Sequence, residues 1–457
     1  MGIITSTWME TYDSQLSTYN YKAIWRVAYP IMLSLLMEQL IGITDTAFLG
    51  RVGEIELGAS AVAGIYYTVI FMLGFGFTIG SQILMARRNG EGNYAQIGDI
   101  FWQGIYFLTA LFAVVFILSR IYSSDILGFL ISSPRVGKAA DTYIGWRMYG
   151  MLFSFTAVMF RAFYVGTTQT RVLTMNSMLL VVSNIVFDWV LIFGKFGLPA
   201  LGIAGAAMAS SLAGLVSALF FIVYTVRNVD CRKYGLSHIP RLELYQLRQI
   251  LRISVWTMIQ NFVSIANWFL FFLFIERLGE RPLAVANIIR SISSVPFMVM
   301  MAFASSCSSL VSNSIGSGRM DEVKPLIRRH IWLCASIVVP VVCLFALFPN
   351  AVLSIYTDMA DLREASVAAL WVLCTTFIVM IPGNMFFHAV SGTGDTRAAF
   401  LLELSALAIY FVYIYIIVLV MRSDVAVCWT ADHVYGLCLW LASMYFIYRG
   451  NWHKKRI

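Results

Sequence analysis

Charge is what this 457-residue chain has least of: Asp, Glu, Lys and Arg together make up 12% of it. That is about half the share of an ordinary soluble protein. Hydrophobic residues reach 60% and the mean hydropathy is +0.78, so a water-soluble fold is excluded. Cysteine is present without pattern. Its seven copies (231, 307, 334, 343, 374, 428 and 438) show no metal-ligand spacing and fall mostly in apolar runs, where the thiol packs as a small hydrophobe. Neither a disulfide framework nor a metal cluster is expected. The five histidines are scattered, and no HExxH or GxSxG occurs, which removes the usual signs of a membrane-embedded enzyme. The first two dozen residues lack an apolar core and a small-residue cleavage site and carry Glu10, Asp13, Lys22 and Arg26 instead, so no signal peptide is expected. The opening MGIITS matches a myristoylation pattern, one short enough to arise by chance.

What fills the chain is apolar blocks of spanning length. Runs such as VLIFG and IYFVYIYIIVLVM are apolar on every face, whereas a β-barrel strand would alternate over about 10 residues. The expected fold is therefore an all-α polytopic membrane protein with twelve transmembrane helices. The approximate spans are 27–50, 57–86, 97–119, 141–165, 172–194 and 201–226, then 252–275, 282–312, 330–348, 364–391, 398–421 and 426–448. Lys and Arg in the loops and at the span ends number 20 on the side of the N-terminus and 9 on the other, which predicts that both termini are cytoplasmic. This bias accounts for the net charge of +8, and no nucleic-acid partner is implied.

The chain also repeats. At a lag of 226 residues, RVGE (51–54) meets RLGE (277–280), Gly90 and Gly92 meet Gly316 and Gly318, and GTTQTR (166–171) meets GTGDTR (392–397). One unbroken lag across three loops indicates two homologous halves of six helices. An even number of helices per half makes this a parallel repeat about the membrane normal, the plan of an alternating-access transporter. The predicted division is an N-terminal lobe at 1–226, a solvated cytoplasmic linker at 227–249 and a C-terminal lobe at 250–457.

Acids within the spans are the exception to all this apolarity. A carboxylate at mid-membrane costs about 2.5–3.5 kcal/mol even on the lenient scale, so each needs a partner or a task. In the first span Glu38 and Asp45 stand seven residues apart, on one helical face and about 10 Å apart along the axis. In the fifth, Ser177, Asn184 and Asp188 share a stripe; in the sixth, Ser210 lies among small residues that permit close approach. Asp45, Asp188 and Ser210 reach similar depths in the outer half of the membrane. Two carboxylates, an amide and a hydroxyl suit a shared proton or a hard cation such as Na⁺ at Asp45, Asn184 and Asp188. The lag matches these positions to Phe271, Tyr410 and Ile414, so the acids belong to the first half alone. Glu38 has no evident partner and is expected either to line a cleft or to hold helices together. Glu403, Arg147, Arg161 and Arg290 lie nearer span ends, where snorkelling or local pairing is expected.

YPIMLSLLMEQLIGITDTAFLGRVGEIELGASAVA (29–63), NIVFDWVLIFG (184–194) and GIAGAAMAS (202–210) together make the chain resemble the multidrug and toxic compound extrusion (MATE) family. The resemblance covers essentially the whole chain. It implies two six-helix lobes around a V-shaped cleft and an antiporter that exports cationic or amphipathic organic compounds against H⁺ or Na⁺. It further implies coupling at Asp45, Asn184 and Asp188, with Ser210 where the motif often has threonine, a backbone carbonyl from Ala206 and a hydroxyl from Tyr143. Pro30 matches a proline at which the first helix bends. The NorM-type branch carries further acids in the seventh and tenth helices. This chain offers Gln260, Asn261 and Asn384 there, closer to the DinF-type branch; with Glu38 and Gln39 these are candidates to line the substrate cleft. A flippase of lipids or lipid-linked oligosaccharides shares the architecture and is the alternative. Beyond the coupling ion no cofactor is implied. The expected partners are organic cations or amphiphiles and the bilayer, and the expected state is a monomer in the inner (plasma) membrane.

Overall fold

The computed structural model describes residues 19–131, 133–450 and 452–454. The MGIITS motif, Glu10, Asp13, Lys455 and Arg456 lie outside the described residues. Among the described residues, twelve helices are long and apolar enough to cross a membrane. They are α1 (Tyr21–Val52), α2 (Glu54–Gly90), α3 (Gln96–Phe129), α4 (Pro134–Gly166), α5 (Arg171–Phe193) and α6 (Gly202–Asn228), then α7 (Leu244–Glu276), α8 (Glu280–Gly316), α9 (Met320–Leu347), α10 (Ala360–Gly392), α11 (Thr396–Val420) and α12 (Val425–Arg449). Each matches one of the twelve predicted spans, four of which run one residue past the helix end. No strand occurs among the described residues.

The repeat seen in the loops is also a repeat of packing. In the first half α2 lies along α3 and α4, and α6 lies along α4 and α5; in the second half α8 lies along α9 and α10, and α12 along α10 and α11. Backbone conformation follows the same lag. Gly92 and Gly318, at the ends of α2 and α8, have φ of 73° and 77°. In the turns before α5 and α11, Thr168 has φ 62° where its counterpart Gly394 has 87°. Glycine enters this left-handed region freely, but threonine does so at a steric cost.

Packing divides the chain differently from the sequence repeat. One unit runs from Leu33 to Ala266; the other contains the described residues up to Met32 together with those from Asn267 onward. Both divisions fall inside helices. In α1 the division comes two residues after Pro30, whose ring removes a backbone N–H from the helix interior. The predicted linker 227–249 falls within the Leu33–Ala266 unit; most of its residues are exposed, and its middle is tied to α3. Gln103 of α3 is fully buried; its amide donates to Arg241 O (2.9 Å) and accepts from Glu243 N (3.2 Å). Trp102 and Tyr106 donate to the carbonyls of Leu236 (3.2 Å) and Pro240 (3.0 Å). The segment has no helical ladder of its own over 236–243, so α3 supplies partners that its carbonyls need.

Within the Leu33–Ala266 unit the core is aromatic: Phe77 stacks on Phe107 (4.3 Å between ring centres), and Phe160 touches Phe101 and Phe221 (4.9 and 5.6 Å). In the other unit Phe271 meets Trp429 edge-on at 5.2 Å. Phe271 is the counterpart of Asp45, so the position that carries an acid in one half is filled by core packing in the other.

Candidate functional site: a buried carboxylate pair

Local sequence explains how three helices come to share one point. α5 stops at Gly194, which takes the left-handed conformation (φ 66°, ψ 59°) that closes a helix C-terminus. The chain returns as α6, and Gly205 lies so close to α5 that a Cβ there would stand 2.6 Å from the Leu191 carbonyl oxygen. Only glycine permits this crossing, and the next residues on that face are Ala206 and Ser210. α4 is interrupted by a 3₁₀ turn over Met148–Gly150. There Gly150 backs against Ser211 of α6, leaving less than 3 Å for a Cβ. The turn follows directly on Arg147 and sets the stretch that carries Tyr143 and Arg147.

Asn184 is the centre of the cluster. Only 1% of its surface is exposed, and Asp188, one turn on, is wholly buried. With its amide nitrogen facing the acids, Asn184 donates to Asp45 Oδ1 (3.1 Å) and Asp188 Oδ2 (3.2 Å). The amide oxygen is then left towards the Ser210 hydroxyl, across 3.4 Å. Asn184 thus bridges the two carboxyl groups, and two bare carboxylates gathered on one amide repel, which a proton or a cation between them would relieve. Asp188 Oδ1 is buried and makes no hydrogen bond, a free acceptor of the kind a proton or a hard cation would use.

Tyr143 is buried within electrostatic reach of Asp45, Asp188 and Arg147, although no hydrogen bond joins its hydroxyl to either carboxylate among the described residues. Ala206 is buried one turn before Ser210. Asp45, Asn184, Asp188 and Ser210 are thus brought together, with Tyr143 nearby and Ala206 one turn from Ser210 on α6. Arg147 joins them, although its position near a span end suggested snorkelling. Its guanidinium lies 4.3 Å from the centre of the Tyr67 ring and in electrostatic reach of both acids. Its position on the Tyr143 face, one turn further along α4, was the available signal.

Glu38 also has partners that the sequence pattern did not reveal. Ser34 and Ser177 hydrogen-bond its Oε1 (3.1 and 3.2 Å), and Arg161 lies 3.6 Å from the same atom. Ser177 therefore serves Glu38 and not the Asp45 cluster, despite sharing a stripe with Asn184. Glu403, read as a snorkelling or locally paired residue, is buried and accepts from Tyr435 at 3.4 Å. The remaining cleft candidates are not drawn into either cluster. Gln39 is exposed, and Asn261 and Asn384 donate to carbonyls one turn back in their own helices, Thr257 O (2.7 Å) and Met380 O (3.0 Å). The Gln260 side-chain oxygen is buried without a hydrogen bond.

Fold and site define a class: a twelve-span helical membrane protein made of two like halves, with a buried carboxylate pair in the first. The chain belongs to the MatE family, whose model matches it twice, over residues 30–190 and 253–416. The two matches end at positions separated by the same lag as the loop motifs. Among curated proteins it is similar to the probable multidrug resistance protein NorM of Thermotoga maritima, with 26% identity over 380 residues, covering 82% of this chain and 80% of that one. It is also similar to the probable multidrug resistance protein YoeA of Bacillus subtilis, with 25% identity over 394 residues, covering 82% and 83%. Solved structures with the same fold include the eukaryotic MATE transporter AtDTX14, with a TM-score of 0.84, 17% identity and coverage of 95% and 96%. A variant of the Vibrio cholerae MATE transporter VcmN gives a TM-score of 0.86, 16% identity and coverage of 95% and 98%.

Proposed function

We propose that this protein exports cationic or amphipathic organic compounds by alternating access, in exchange for H⁺ or Na⁺ taken up at Asp45, Asn184 and Asp188. The observation that carries the proposal is the buried acid pair bridged by the Asn184 amide, with Asp188 Oδ1 free to accept. The names of the curated relatives support the substrate class. Asn184 can offer N–H groups to both carboxylates when they share a proton, or its amide oxygen to a Na⁺ between them. Uptake of the ion changes the charge next to α1, and Pro30 gives that helix a point at which to bend. Exchange then requires only that ion and substrate prefer different conformations by a few kcal/mol.

Coupling in this reading rests on the N-terminal half alone, as in a DinF-type transporter. Phe271, Tyr410 and Ile414 stand at the matched positions of the other half, and α7 and α10 carry Gln260, Asn261 and Asn384 in place of acids. The protein works as a monomer in the plasma membrane with both termini cytoplasmic, consistent with the distribution of Lys and Arg. The test is efflux of a fluorescent organic cation from proteoliposomes under an imposed pH or Na⁺ gradient, with wild type beside Asp45→Asn. One gradient should drive wild-type efflux and neither should drive the variant. If neither gradient moves dye in wild type, the antiporter reading fails; a lipid flippase would behave in that way.

A further inference from the structure

α4 brings two arginines into its span, and the coupling cluster accounts for one. The other, Arg161, faces Glu38 of α1, two turns inward from Asp45, and exchange at the acid pair uses neither residue. The surroundings of Glu38 are built and one-sided. Ser34 and Ser177, 2% and 1% exposed and 2.6 Å apart, both bond Oε1, and the Arg161 guanidinium stands 3.6 Å from that atom. Oε2 makes no hydrogen bond among the described residues, and the Glu38 side chain is 37% exposed. Two buried hydroxyls therefore hold one carboxylate oxygen in place while the other is presented outward. The ion pair itself is weak: a single contact, longer than a hydrogen bond and partly exposed. It balances Glu38 in the membrane without sealing it, since an intramembrane acid needs a counter-charge.

We propose that Glu38 is the recognition point for the positive charge of the substrate and that Arg161 is its resident counter-ion, which the substrate displaces. The pair selects organic cations over neutral amphiphiles of the same shape. The proposal rests on the export reading for its substrate class but not on ion coupling. Displacement makes Arg161 a competitor, so removing it should strengthen cation binding, the opposite of what loss of a structural salt bridge does.

The experiment measures equilibrium binding of tetraphenylphosphonium and of uncharged triphenylphosphine oxide to the full-length protein in nanodiscs, with no ion gradient. Glu38→Gln keeps an oxygen for Ser34 and Ser177. It should weaken tetraphenylphosphonium about tenfold, the scale of one charge-assisted contact, and leave the neutral probe unchanged. Arg161→Gln should tighten tetraphenylphosphonium about two- to fivefold, Arg161→Lys should restore wild-type affinity, and the double variant should bind as weakly as Glu38→Gln. A gain of affinity cannot arise from misfolding. Arg161→Gln binding the cation no better than wild type overturns the proposal, and so does Glu38→Gln weakening both probes equally. Wild type binding neither probe overturns the export reading and this proposal with it. Normal binding behaviour without gradient-driven transport removes only the coupling.

Discussion

Replacing Asp188 with asparagine separates shape from charge at the acid pair. The side chain is wholly buried, and its Oδ2 lies 3.2 Å from the Asn184 amide nitrogen. Asparagine has the same outline: its oxygen can accept from Asn184 as Oδ2 does, and its NH₂ takes the place of Oδ1, which makes no hydrogen bond. Stability should therefore fall by about 1–3 kcal/mol, the cost of a buried donor left unpaired. Transport should change far more. One-for-one exchange of a proton for a monovalent cation is electroneutral, and one unit of pH gradient supplies about 1.4 kcal/mol, enough for about tenfold accumulation. Asparagine cannot take up and release a proton, so if the proposed coupling holds, accumulation should fall from about tenfold to about one while downhill movement of substrate continues. The assay is ethidium distribution across proteoliposomes held at a one-unit pH difference, acid on the side to which ethidium is expelled. Asp188→Asn sustaining tenfold accumulation would refute the reasoning, because no shared proton would then be needed.

Three further predictions concern the frame around the site. Gly205→Val places a Cβ 2.6 Å from the Leu191 carbonyl oxygen; it should cost about 1–3 kcal/mol, visible as a lower melting temperature in detergent. Thr168→Gly removes a β-branched side chain from φ 62° and should stabilise by about 0.5–1 kcal/mol after the entropy of glycine is counted, whereas Gly394→Thr at the matched turn should destabilise. Gln103→Leu leaves Arg241 O and Glu243 N without their buried partner. A loss of about 1–3 kcal/mol is expected, with faster proteolysis between Leu236 and Glu243 as the readout; unchanged cleavage there would mean that the segment is held by other contacts.

Helix number and placement were legible because the membrane forces backbone polar groups into helices, and apolar length alone then reports a span. The acid pair was legible for a related reason: an intramembrane carboxylate is too costly to be incidental, and helical periodicity placed Asp45, Asn184, Asp188 and Ser210 on converging faces. The role of Arg147 was hidden because distance from a span end does not reveal which way a helix turns. A 3₁₀ turn at Met148–Gly150, set by the contact of Gly150 with Ser211, interrupts α4 just beyond it. Glu38 lacked a visible partner because Arg161 is 123 positions away in the chain, and only packing brings the two within 3.6 Å. The contacts that tie 236–243 to α3 were not legible either, since a charged stretch reads as solvent-exposed whether or not a neighbouring helix satisfies its carbonyls.

By itself the sequence determined the all-helical membrane class, the twelve spans, the doubled architecture and the confinement of the acid pair to the first half. These properties follow from local composition and from a fixed lag, which need no knowledge of the fold. Tertiary structure alone decided which charges meet and how α1 and α7 are divided between packed units. Those outcomes depend on distances between helices far apart in the chain, set by small residues such as Gly150 and Gly205 where backbones come within contact.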